Sequence, residues 1–313
     1  MVDLCCGTID LLMNIKQLER TLAVTTFPNF SVWHVLAVKI RIILEWVVKR
    51  CQVIGFRRRA LKPLRVLGKL GQSNDALVIG NGPSAQSLDW SAVVNAQRNG
   101  MAVFAINYFP LSQEFKLIQP NYLVLSDPIM KPNTNNDSRT EELWNVVANT
   151  SSMNLIVPLS WYRILKAQNR LTNKTYYFDD SGLEGWTRNI SPLKARGYLA
   201  LTAYKALAVS IFLGFKETKI IGVDNSMFQT IYVDQSNRLT QQPNHFFSQG
   251  GETSDMTAFY PKGISDYFYD VSLCFYFLRR CFAGQSVLNL DPNSLVDAFP
   301  KDSSSDLILV RER

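Results

Sequence analysis

Histidine is almost missing: His34 and His245 are the whole supply in 313 residues. Two distant imidazoles cannot form a histidine cluster, and no Asp-x-Asp pair replaces one, so the expectation is a site without a bound metal. The five cysteines (Cys5, Cys6, Cys51, Cys274, Cys281) lack metal-type spacing, which predicts free thiols in a reducing compartment. The opening MVDLCCGTIDLL lacks the basic stretch of a secretory signal. No 18-residue window of the apolar N-terminal segment is free of charge, which argues against a buried span. Acidic residues are scarce in one place. Between Lys39 and Lys69 ten cations are opposed by Glu45 alone, within a net charge of +7. That block lacks the interleaved aromatics of a nucleic-acid surface, so nucleic acid is not expected as a partner.

What is present has the apolar share (47%) and length for a large core, in one big domain or two modest ones. SVWHVLAVKIRIILEWVVKR, residues 31–50, reads as a helix. His34, Lys39, Arg41, Glu45 and Lys49 lie on a broad polar face, with Trp33, Ile40, Ile43, Trp46 and Val47 largely opposite. An interfacial helix fits this pattern, its tryptophans at headgroup depth and the basic segment to Lys69 on anionic lipid. Packing on the chain's own domain or on a sister subunit is the other reading. Residues 1–71 are thus expected as a helical, basic, membrane-associating extension. Residues 72–313 are expected as the second domain, with a lid at about 225–260.

ALVIG, from Ala76 to Gly80, reads as a buried parallel strand. NGPSAQSLDW follows. Gly80 and Gly82 permit a tight turn, Pro83 suits a first helical turn, and Ser84 adds a hydroxyl. Such a turn can offer free amides to an anion such as a nucleotide phosphate, or it can simply be tight. It is neither a dinucleotide fingerprint, lacking the third glycine, nor a Walker loop. Further runs (MAVFAIN, NYLVLSD, NLIVPLS, KIIGVDN, SVLNLDPNSL) are hydrophobic with polar last residues. The fold class expected is α/β: a Rossmann-like, mostly parallel sheet with helices on both faces. Strand ends in such a sheet line the ligand crevice. Asn107, Ser126, Asp127, Asp224 and Ser294 are therefore convergent candidates, and Thr202 stands at the start of a long buried helix.

VIGNGPSAQSLDWSAV, VFAINYF, ALAVSIFLGFKETKIIGVD, PNHFF and LNLDPNSL, in that order, resemble the bacterial sialyltransferases that decorate surface lipooligosaccharide. The Gly-Asn-Gly-Pro-Ser pattern also resembles pterin diphosphokinase-like domains. The first resemblance covers roughly residues 75 to 300. It implies a CMP-sugar donor, inversion without a metal, a saccharide acceptor of a surface glycan, and possible homo-oligomers. It implies donor binding by Gly80, Asn81, Gly82, Ser84 and Asn107, with Thr202, Asn293 and Ser294 nearby. It gives Tyr232 the leaving phosphate. The family's base position falls on Gln249, which cannot take a proton, and its arginine falls on Leu199, beside Arg196. His245 is then the base candidate near neutral pH, with Asp127, Glu252 or Asp255 behind it. Arg188 and Arg196 are a possible anion clamp. The expected place of action is the cytoplasmic face of the inner membrane, on a glycan or lipid-linked acceptor at an anionic surface. Two alternatives stay open: a Mg²⁺-dependent diphosphokinase acting on a pterin-like alcohol, for which Asp127, Asp224 and Asp291 would serve, and a non-catalytic nucleotide-binding protein docked on a membrane.

Overall fold

Short aliphatic runs make strands here because both faces of each are covered. The computed structural model describes residues 32–71, 74–132, 138–168, 174–198, 201–242, 253–260, 263–302 and 304–309. Six parallel strands come first: β1 (Ala76–Ile79), β2 (Ala102–Ile106), β3 (Tyr122–Val124), β4 (Asn154–Pro158), β5 (Thr175–Phe178) and β6 (Thr218–Ile221). A small antiparallel sheet follows, of β7 (Ile231–Val233), β8 (Leu239–Gln241) and β9 (Ser254–Asp255), and then β10 (Val287–Asn289) returns to the main sheet. The main sheet runs β10-β6-β1-β2-β3-β4-β5, every neighbouring pair parallel. This is a Rossmann-like α/β architecture.

Alternation along β1 assigns the two faces. Leu77 and Ile79 join one core with Val103, Leu123 and Leu155; Ala76 and Val78 join the other with Phe104, Val124 and Ile156. The first face is covered by α3 (Trp90–Arg98), α5 (Ser138–Asn149) and α6 (Tyr162–Ala167), while α4 (Glu114–Ile118) adds Phe115 and Ile118. The second is covered by α7 (Thr202–Leu213) and α8 (Ile264–Phe282). Nine of α7's twelve residues are buried, as its nearly unbroken apolar sequence requires, and Gly214 closes it at φ 84°.

Two helices precede the sheet, α1 (Val32–Val53) and α2 (Arg57–Lys69). The expected boundary at residue 71 does not separate α2 from the core. Its Ala60, Leu61 and Leu64 are buried, and α2 packs on β5 and α7. Among the described residues no helix is long and apolar enough to cross a membrane.

The chain enters at β1, steps outward to β5, then crosses back to β6 on the far side of β1. The strand order therefore reverses between β1 and β6, and the crevice belongs at the carboxyl ends there.

Candidate functional site

At the reversal the glycine-rich turn is laced to its neighbour strand. Gly80 N–H donates to the Ile221 carbonyl (2.7 Å), Gly82 N–H to the Gly222 carbonyl (2.8 Å), and Ser84 N–H to Asp224 Oδ1 (3.2 Å). Ser84 Oγ accepts from Gly222 N–H at 2.9 Å. Those three amides are therefore satisfied inside the protein, and the carboxylate at the head of the turn is Asp224. The glycines serve close backbone approach. A Cβ on Gly80 would strike the Gly222 carbonyl, and one on Gly82 the Asp224 carboxylate. Gly222, at φ 69°, returns the requirement from β6.

Asp224 does not stand alone. Asp291 is buried just past β10, close enough for its charge to act on Asp224. Burial raises the Asp224 pKa from 3.8 to about 6; the Ser84 hydrogen bonds oppose this and Asp291 adds to it. Beside them two amide oxygens, Asn81 Oδ1 and Asn107 Oδ1, are buried without a hydrogen-bond partner among the described residues. Asn107 sits at φ 49° and Asn225, past β6, at φ 52°. Non-glycine residues in that region carry strain, and here they stand past the ends of β2 and β6, the two strands that flank β1.

Two strands from β1, the end of β3 presents Ser126. Its Oγ lies 2.7 Å from Thr202 Oγ1, and Lys205 Nζ donates to it at 3.0 Å. Thr202 opens α7, and Lys205 sits one turn in. Lys205 escaped the sequence reading, although it is the lone charge in TAYKALAVSIFL. Burial lowers its pKa from 10.5 to about 7; Arg196 and Lys49 lower it further, while Asp180 and Asp127 pull the other way. Ser126 and Thr202 thus meet beside an amine whose pKa burial lowers to about 7.

The far wall comes from the N-terminal helices. Asp179, buried past β5, receives Arg57 at 2.7 Å and Arg50 at 3.0 Å, while Lys49 Nζ donates to the Asp180 carbonyl at 3.1 Å. Lys39 stands over the Trp186 ring at 4.4 Å, and Arg41 pairs with Glu45. Five of the ten clustered cations thus act inside the protein, and Arg58, Arg59, Lys62, Arg65 and Lys69 remain exposed. Trp46 also turns inward, under Arg50, against the expectation of a headgroup anchor. Arg196 is no surface clamp: it is fully buried over Phe178 and donates to the Asp179 carbonyl, while Arg188 is exposed.

The other expected residues scatter. His245, Gln249 and Glu252 lie outside the described residues. Tyr232 is exposed on β7, and its hydroxyl makes no hydrogen bond with a described residue. Asp127 caps Ile129 N–H at 3.1 Å, and Asp255 is exposed on β9. Ser294 Oγ is used on the Val223 carbonyl (2.9 Å), and Asn293 is exposed. A cleft of about 590 Å³ opens at the opposite end of the sheet, lined among others by Asn74, Asp75, Lys216, Lys219 and Asp306, away from every strand-end candidate. No protein-family model matches this chain, and no curated protein matches it.

Proposed function

We propose that the chain is a glycosyltransferase that moves a sugar, sialic acid or a relative, from a CMP-activated donor to a saccharide acceptor of a bacterial surface glycan. The observation that carries this reading is the pair of buried, unpartnered amide oxygens, Asn81 Oδ1 and Asn107 Oδ1, at the strand reversal of a Rossmann-like sheet. A buried acceptor left unmade costs about 1–3 kcal/mol, which a ligand's donors recover. Ribose hydroxyls and the exocyclic amine of cytosine are such donors. With the Gly80, Gly82 and Ser84 amides already used, the nucleotide is held mainly at its nucleoside end. The reacting end then extends toward Ser126, Thr202 and Lys205.

The proposed place of action is a membrane surface, with the protein peripheral at the cytoplasmic face. Leu36, Ile40, Ile43, Leu44 and Val47 form an exposed apolar stripe on α1, and Ile54 continues it. The five exposed cations of α2 complement anionic headgroups.

A thermal-shift series with CMP, CDP, UDP, GDP and ATP, each with and without Mg²⁺, tests the donor class. A ligand at a hundred times its Kd adds about 2.7 kcal/mol, or roughly 4 °C for a chain of this length. Stabilisation by CMP compounds without Mg²⁺, followed by transfer from a CMP-sugar, is the expected result. The Asp224–Asp291 pair favours one second reading, Mg²⁺-dependent diphosphoryl transfer to a pterin-like alcohol. In that case ATP stabilises only with Mg²⁺, and CMP does not.

A further inference from the structure

Among the described residues a basic side chain stands at one end of a hydroxyl pair at the strand ends, and it is an amine rather than an imidazole. We propose that Lys205 is the general base of the transfer, its Nζ held on Ser126 Oγ at 3.0 Å and the Ser126–Thr202 pair bridging it to the acceptor. This inference rests on the glycosyl-transfer reading above and adds the residue that receives the proton.

The geometry supplies what a base requires. Lys205 is half-buried, and its amine reaches Ser126 Oγ at the end of β3, through which it meets the crevice. Its neighbours come from four other segments: Lys49 from α1, Ser126 and Asp127 from the end of β3, Asp180 from the end of β5, and Arg196 from the segment before α7. Lys49 and Arg196 oppose a third cation, and the positive end of α7 does the same. The carboxylates oppose this, yet the burial of the amine dominates, and the balance leaves it titrating at about 7. Ser126 Oγ lies within hydrogen-bond distance of both Lys205 Nζ and Thr202 Oγ1. With the amine neutral, its lone pair accepts from Ser126 O–H while Ser126 Oγ accepts from Thr202 O–H, and a proton passes along this chain to the amine.

The step balances. The acceptor oxygen forms a bond to the anomeric carbon of the donor, and its proton goes to Lys205, which becomes an ammonium. The bond from the anomeric carbon to the phosphate oxygen breaks, and its electron pair leaves on CMP. The ammonium then returns its proton to solvent.

The test compares wild type, Lys205→Met and Lys205→Arg in transfer from a CMP-sugar to a saccharide acceptor. Wild-type kcat/KM should rise with pH and level off above about 7. Both variants should lose about 10²- to 10³-fold in kcat, while the donor KM stays within about twofold. Lys205→Ala should regain turnover when a small primary amine is added. Arginine is a permanent cation, so Lys205→Arg separates a base from an anion contact. If Lys205→Arg keeps more than about a tenth of wild-type turnover, or no variant loses turnover, Lys205 is not the base. If wild type itself transfers nothing from any CMP-sugar, the glycosyl-transfer reading falls, and this proposal with it.

Discussion

Asp224→Asn should make the protein more stable at pH 8 and leave it nearly unchanged in acid. The wild-type carboxyl titrates at about 6 rather than 3.8, so its protonated form is the one the fold prefers. That contribution is complete below about 3.8 and is lost as pH rises through about 6, so the ionised group is a burden at pH 8. At about 1.4 kcal/mol for each tenfold change in proton affinity, the burden is at most about 3 kcal/mol. Asp224 keeps some contact with solvent, which screens it, so about 1.5 kcal/mol is the working figure. Asparagine can still accept from Ser84 N–H, and its amide can donate to Asp291. For a chain of 313 residues the gain corresponds to a Tm rise of roughly 2 °C. Paired calorimetric scans at pH 8 and pH 4.5 measure it, with about 0.5 kcal/mol expected at the lower pH. A variant less stable than wild type at pH 8, or equally stabilised at both pH values, would refute the carboxyl-pair argument.

Gly82→Ala drives a methyl into Asp224 and the Gly222 carbonyl, and should cost more than about 2 kcal/mol by urea unfolding. A silent substitution would show that the turn is not laced to β6. Asp179→Ala strips Arg50 and Arg57 of their shared counter-charge and should cost about 3–5 kcal/mol. Limited trypsin digestion should then cut first in α1 and α2, and an unchanged digestion pattern would contradict the anchoring role. The triple change Ile40→Asp, Ile43→Asp, Val47→Asp should abolish cosedimentation with anionic phosphatidylglycerol vesicles while leaving the circular dichroism intact. Retained binding would remove α1 from the membrane contact.

Six of the seven main strands were legible, because aliphatic runs ending in polar residues mark buried parallel strands. β5 was not: TYYF is short, aromatic and preceded by polar residues, so nothing in its period sets it apart. The glycine turn was legible as a tight strand-to-helix turn, but the partners of its amides were not. A sequence displays its amide donors but not the carbonyls that β6 brings into register opposite them. The inward turn of Lys49, Arg50 and Arg57 was invisible for a similar reason. Their acceptors lie more than a hundred residues along the chain, and charge patterning reports only local density. Lys205 passed as an ordinary helical lysine, because depth along a helix is set by the packing of neighbours rather than by spacing.

The seat of the N-terminal helices has a kinetic consequence. Arg57 and the Asp179 that receives it are separated by 122 residues. A ribosome adding about 5–20 residues per second needs roughly 6–24 s to span that gap. During those seconds α1 and α2 have left the tunnel with no β5 to receive them. A nearby bilayer can therefore capture the nascent helices first, before the rest of the chain closes over their inner side.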